Sequence, residues 1–175
     1  TGVWDAIEEV GLPVSHHIGE SVGAPAEFNR MSISFMHSVA PFRDMFARYI
    51  FGGILDRHPS LQVGWFEGGI NWVASAMQDA EHTAASYWHM DNLKLKHEPH
   101  YYWRQHMCAS FMLDPLGLEM IDRLGADKVM WSSDYPHIES TFGFSRNSLN
   151  HVVKVVGRER APAVVGGNIA RFLKM

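Results

Sequence analysis

Three residues able to bind a metal ion or move a proton, His17, Glu67 and Asp134, each stand where a short apolar run gives way to a turn. In Lys128-Val129-Met130-Trp131-Ser132-Ser133-Asp134-Tyr135-Pro136-His137 the run reads as a buried strand, and a Pro-containing turn follows the acid at once. Leu12-Pro13-Val14-Ser15-His16-His17-Ile18-Gly19-Glu20 ends in a His pair before Gly, and Leu61-Gln62-Val63-Gly64-Trp65-Phe66-Glu67-Gly68-Gly69 ends in Glu before two glycines. An Asp after a strand often does no more than cap the next element. At Asp134 alone, capping and chemistry weigh evenly; three such endings in one chain favour a site. Imidazole nitrogen and carboxylate oxygen make up the donor set of Zn, Mn or Fe centres that keep an open position. His137, three residues beyond Asp134, and His106 are further candidates for contact with a small-molecule ligand.

The elements that must position these groups alternate in kind. A helical end over 4–10 is closed by Gly11, and a strand over 12–18 and a Gly/Pro/Ala loop over 19–25 follow. Residues 41–57 form a long helical pattern, with Phe42, Met45, Phe46, Tyr49, Ile50 and Ile54 on one face, stopped by His58-Pro59. A strand over 61–66 leads through Gly68-Gly69 into a helix over 71–89. A polar, His-rich loop runs through Pro99, and 101–111 reads as a strand. Asp114-Pro115 opens a helix ended by Gly125, then come a strand over 129–132, a helix near 148–156 and a last helix after Gly166-Gly167-Asn168. Four successive strand–helix units imply an α/β fold with a parallel sheet and right-handed crossovers. A complete (β/α)₈ barrel takes roughly 250 residues and eight such units, so the 175 residues here are about enough for half of one.

Composition narrows the function classes. At 46% hydrophobic and 19% charged residues the chain can bury a sizeable core. A net charge of −4 and a pI near 6.2 give no electrostatic footprint for nucleic acid. One cysteine, Cys108, excludes an internal disulfide framework and a Cys-based zinc site, and its apolar surroundings make it a buried structural thiol. Neither a secretory signal nor a bilayer-length apolar run is seen, so a cytoplasmic location and no membrane partner are expected.

Other polar features are better explained without chemistry. His97-Glu98-Pro99-His100 has the residue types of a zinc-protease helix, but the spacing is wrong and Pro99 opposes the helix; a surface loop is the expectation. His82 and His89 share a helical face and are solvated or packed. Trp88, Tyr101, Tyr102 and Trp103 read as core and interface. Gly166-Gly167-Asn168 lacks the Lys-Ser/Thr of a phosphate loop and reads as a turn with Asn168 capping the last helix.

The ordered series Leu12-Pro13-Val14-Ser15-His16-His17-Ile18-Gly19, Gly53-Ile54-Leu55-Asp56-Arg57-His58-Pro59-Ser60-Leu61-Gln62-Val63, Glu67-Gly68-Gly69-Ile70-Asn71-Trp72, Ser133-Asp134-Tyr135-Pro136-His137 and Gly166-Gly167-Asn168-Ile169-Ala170-Arg171-Phe172 resembles the amidohydrolase superfamily. The branch it is most similar to includes aminocarboxymuconate-semialdehyde decarboxylase and related aromatic-acid decarboxylases and hydrolases. The resemblance spans nearly the whole chain and implies a single partial domain over 1–175. That domain would be the C-terminal half of a (β/α)₈ TIM barrel, its strands the fifth to eighth, with the N-terminal half absent. It implies that His17 is the fifth-strand metal ligand and that Asp134 is the eighth-strand ligand and proton acceptor. His16, pointing to the other side of the strand, becomes a packing or supporting residue. Where family decarboxylases carry His-Gly-Gly after the sixth strand, this chain has Glu67-Gly68-Gly69, and an acid/base carboxylate differs from imidazole in charge and unperturbed pKa.

By this resemblance the protein is a metal-dependent enzyme that either hydrolyses a C–N or C–O bond or decarboxylates an aromatic or unsaturated carboxylic acid. One divalent ion, Zn first and Mn or Fe next, would be held by His17 and Asp134 once the missing half-barrel is supplied. Asp134 and Glu67 would be the catalytic groups. The competing reading is a catalytically incomplete fragment or an assembly module whose two open sheet edges seek a second chain, as a homo-oligomer or with the missing half.

Overall fold

The computed structural model describes residues 2–19, 31–90 and 94–175. The expected loop over 19–25 lies outside them beyond Gly19. Four strands, β1 (Val14–His17), β2 (Val63–Phe66), β3 (Met107–Phe111) and β4 (Val129–Trp131), form one all-parallel sheet in sequential order. The register pairs Val14 with Val63, Val63 with Met107, and Ala109 with Val129. The helices are α1 (Val3–Val10), α2 (Met31–His37), α3 (Ala40–Phe51), α4 (Ile54–Arg57), α5 (Asn71–Tyr87), α6 (Pro99–His106), α7 (Pro115–Glu119), α8 (Ile121–Leu124), α9 (Ser145–Val156) and α10 (Asn168–Phe172), the last preceded by a π-helical stretch, Ala163–Gly167. The α/β fold with a parallel sheet is therefore as expected.

Burial along the strands follows their places in the sheet. Every residue of β3 is buried, as in a central parallel strand covered on both faces. Residues of β1 alternate between half-buried and exposed, because β1 is an edge with one neighbour. The other edge differs: Val129 and Met130 of β4 are buried, and the Asn168 amide donates to the carbonyls of Val129 (2.7 Å) and Ala126 (2.8 Å). Asn168 is thus a tie between the last helix and the sheet, and not the expected cap: the π-helical turns run straight into α10 and leave no helix start for it to cap.

Side-chain alternation sorts the strands into two faces. One face carries Trp65, on which Phe42, Phe46 and Tyr49 of α3 and Trp72 of α5 converge with ring centroids 5.3–6.4 Å apart. His16 joins this cluster, stacked on Trp65 at 4.9 Å and hydrogen-bonded to the Tyr49 hydroxyl at 2.9 Å. The opposite face carries Gly64 and Phe66. A Cβ at Gly64 would stand 2.7 Å from Phe172, so the missing side chain is what lets the last helix lay Phe172 against Phe66.

Two boundaries depart from the sequence reading. Residues 101–106 are helical: Pro99 at the first turn presets the backbone, and Tyr102, Trp103 and His106 fall on a buried face. Strand begins only at Met107. The same helix takes in His100, so the expected surface loop ends at Glu98. The long helix over 41–57 breaks at Gly52-Gly53 into α3 and α4, with Gly53 in the left-handed region. Trp88, expected in core or interface, is exposed.

Asp114 joins two helices to the carboxyl edge of the sheet. Its Oδ1 accepts the Gly117 N–H of α7 at 2.8 Å, and its Oδ2 accepts the N–H groups of Ile70 (2.6 Å) and Asn71 (2.8 Å) at the start of α5. The side chain is buried, so removing it strands several amide donors away from water. Asp114→Ala should cost about 3 kcal/mol in urea denaturation, with Asp114→Asn less damaging. A loss below roughly 1 kcal/mol would show that water replaces the carboxylate.

Candidate active site

The sheet delivers three of the expected groups to one place. His17 ends β1, Glu67 follows β2 directly, and Asp134 lies three residues past β4, all at the carboxyl edge where the loops of parallel sheets build sites. His17 Nε2 contacts Glu67 Oε2. His137 Nδ1 lies 3.4 Å from Asp134 Oδ2 and 3.9 Å from Glu67 Oε1. The Glu67 side chain is only 8% exposed, whereas that of His17 is 61% exposed. His106 is not part of this cluster. It precedes β3 at the amino end of the sheet, donates from Nδ1 to the Leu61 carbonyl at 3.0 Å, and lines a separate cavity of about 420 Å³.

Local backbone explains the convergence. Glu67 (φ 68°) and Asp134 (φ 56°) both occupy the left-handed region, which turns each carboxylate out of its strand direction at a cost on the order of 1 kcal/mol each. The Glu67 N–H is held by the buried Ser110 hydroxyl at 3.0 Å. Beyond it, Gly69 (φ 70°) passes so close to Asp114 that a Cβ would meet its Oδ2 at 2.9 Å. After β4, His137 N–H donates to the Asp134 carbonyl (2.8 Å) and Thr141 N–H to the Ser133 carbonyl (2.9 Å), which folds the loop back over the site.

The electrostatics are those of a site short of positive charge. His17 Nδ1–H donates to the Ile18 carbonyl at 2.8 Å, which leaves Nε2 to meet the Glu67 carboxyl, with a proton between the two groups. Asp134 Oδ2 is buried without a hydrogen-bond donor, and so is Glu139 Oε1. Burial pushes the Glu67 carboxyl above its ordinary value; His17 opposes the shift and the nearby Asp134 carboxylate adds to it. Acceptors converging on a half-buried space, one of them orphaned, have the chemistry that a divalent cation takes. The carboxylates Asp114 and Glu139 and the hydroxyl of Ser110 were not found from the sequence as parts of this region. For Glu139 the signal was available, five residues past Asp134 in the same loop. Cys108 stays outside the chemistry: burial pushes its thiol up to about 12, and its S–H points to the Val63 carbonyl at 3.8 Å.

Such a layout, an all-parallel sheet with imidazole and carboxylate groups at its carboxyl edge, defines an α/β protein whose polar groups gather at the ends of its parallel strands. The amidohydrolase family model matches residues 1–175, and the chain belongs to that family. Among solved structures it is similar to an amidohydrolase from Mycobacterium avium subsp. paratuberculosis K-10, at 21% identity and a TM-score of 0.81 over 98% of this chain and 44% of that one. It is similar to 5-carboxyvanillate decarboxylase from Sphingomonas paucimobilis, at 21% identity and a TM-score of 0.75 over 99% of this chain and 52% of that one. A dihydroxybenzoic acid decarboxylase from Polaromonas sp. JS666 with bound manganese and an inhibitor shares 14% identity at a TM-score of 0.73, over 98% and 52% of the two chains. These likenesses establish the fold, and the chain spans about half the length of each of these structures. No curated protein matches the sequence. Among the described residues no helix is long and apolar enough to cross a membrane.

The raised Glu67 pKa has a sign that can be checked in chelator-treated protein. Between the ordinary value of 4.5 and the raised one, folded Glu67 keeps a proton that the unfolded chain has released. Wild-type stability should therefore fall relative to Glu67→Gln as pH rises through that window. Parallel urea-denaturation profiles for the two proteins across the window would contradict the burial effect.

Proposed function

We propose that this chain supplies the fifth to eighth strands of a (β/α)₈ barrel enzyme that decarboxylates an aromatic or unsaturated carboxylic acid, or hydrolyses a C–N or C–O bond, at a divalent-metal site. The observation that carries the reading is the meeting of His17, Glu67 and Asp134 at one carboxyl edge, with both acids held in left-handed backbone. His17 and Asp134 hold the ion in this proposal, zinc being the first candidate and manganese the next, since a similar solved structure carries manganese. The bound ion supplies Lewis acidity toward a substrate oxygen. Glu67, nearly buried and with its pKa raised, holds a proton at a carboxyl facing the pocket and can pass it to a carbon or a leaving group. Asp134 takes up or returns a proton, and His137, 52% exposed above both acids, contacts the substrate from the loop side. Its partners in this reading are a small molecule and a polypeptide that completes the barrel, in a homo-oligomer or a longer chain, in the cytoplasm.

The likeness to decarboxylases makes aromatic acids the first substrates to assay, with 2,6-dihydroxybenzoate and 5-carboxyvanillate as probes. In the completed enzyme, Asp134→Asn should abolish turnover while leaving the fold intact, because it removes a charge and a proton acceptor but little volume. Glu67→Gln should lower kcat, and His17→Ala should weaken metal binding. Carbon dioxide release separates decarboxylation from hydrolysis, and full activity in Asp134→Asn would sink the assignment.

A further inference from the structure

The loop that follows β4 completes a second group of ligand atoms, in which Glu139 has no role in the reading above and Glu67 and His137 have other ones. One oxygen of Glu67, one of Glu139 and a ring nitrogen of His137 all lie within 4.8 Å of one another. Glu67 divides its carboxylate between two sides: Oε2 faces His17, while Oε1 faces His137 at 3.9 Å. His137 Nδ1 accepts the Glu139 N–H at 3.4 Å and stands 3.4 Å from Asp134 Oδ2 and 3.9 Å from Glu67 Oε1, so this nitrogen is an acceptor set among carboxylate oxygens. Glu139 Oε1 is buried and has no hydrogen-bond donor, an arrangement that costs free energy unless something positive meets it. Two carboxylate oxygens and one imidazole nitrogen around one small space describe a cation site.

We propose that Glu67, His137 and Glu139 form a divalent-cation site complete within this chain, next to the His17–Asp134 position and sharing Glu67 with it. Two carboxylate oxygens and one imidazole suit a first-row ion such as Mn²⁺ or Zn²⁺, with the rest of the coordination sphere left to water or substrate. The hydrogen bond from His137 N–H to the Asp134 carbonyl and the short span from 134 to 139 hold two of the three donors in one turn. The inference shares a pocket with the proposed active site, yet it needs neither His17 as a ligand nor any particular substrate.

The test is Mn²⁺ titration of the chelator-treated 175-residue chain, read by the loss of the free-ion electron paramagnetic resonance signal and repeated with Zn²⁺ by calorimetry. Wild type should bind saturably. Glu139→Gln and His137→Gln should each weaken Kd by about tenfold or more, and His17→Ala should leave this binding in place. Circular dichroism and the urea midpoint check that each variant remains folded; Glu139 and His137 sit in a loop, so both substitutions should pass. Binding lost in His17→Ala and Asp134→Asn but kept in Glu139→Gln would overturn this inference and leave the active-site reading standing. Binding lost only in Glu139→Gln and His137→Gln would confirm the new site, the role of His17 being read separately in the completed enzyme. An absence of binding in the wild-type chain would also overturn the inference.

Discussion

The buried carboxylate of Asp114 fixes the geometry on which the site depends. Its two oxygens reach amide groups from two connections that are far apart in sequence, at Ile70 and Asn71 and at Gly117. A turn held only by its own residues would leave Glu67 free to swing with the loop. Here the two glycines after Glu67 run directly into a helix start that is pinned to the neighbouring strand–helix unit. The Ser110 hydroxyl, on the strand between, holds the Glu67 amide from the other side. The acid is thereby placed by backbone hydrogen bonds before any of its own side-chain contacts are made.

What those contacts show is an imbalance of charge. Two carboxylates come together beside two imidazoles, and burial and mutual repulsion raise the Glu67 pKa despite the histidines. A group in this position either takes up a proton or attracts a cation, and both are useful in one pocket: the first for acid–base work, the second for holding an electron-rich substrate. A carboxylate at position 67, where an imidazole could serve as acid or base, makes the pocket more acidic. That acidity shifts its preference toward harder, oxygen-loving ions.

Much of this could be read from the chain before folding was considered. Strand ends at His17, Glu67 and Asp134 are visible because each apolar run stops at a turn signal, and period-two alternation separates His16 from His17. The split at Gly52-Gly53 and the helix over 99–106 were not visible in the same way. In the second case aromatic residues with high strand propensity sit on a helical buried face, where tertiary packing overrides local preference. His106 misled because residue type says nothing about which end of a strand it occupies. Asn168 looked like a cap because the π-helical turns before it have no recognisable sequence signal. Glu139 was passed over for lack of an apolar run beside it; its importance comes from a loop that folds back, which only the hydrogen bonds at Asp134 and Ser133 reveal.

The left-handed backbone at positions 67 and 134 also narrows what evolution or design can place there. Asp and Asn enter that region at modest cost because their short side chains bond locally, and Gly enters freely; Glu does so less readily, and β-branched residues scarcely at all. At position 134 the acid is therefore one of the few residue types the chain tolerates well. At 67 it is a comparatively expensive choice where glycine would relax the turn. Conformation has filtered the alphabet at both positions before chemistry selects from it, and a long acid at the costlier one is a choice that backbone ease does not explain.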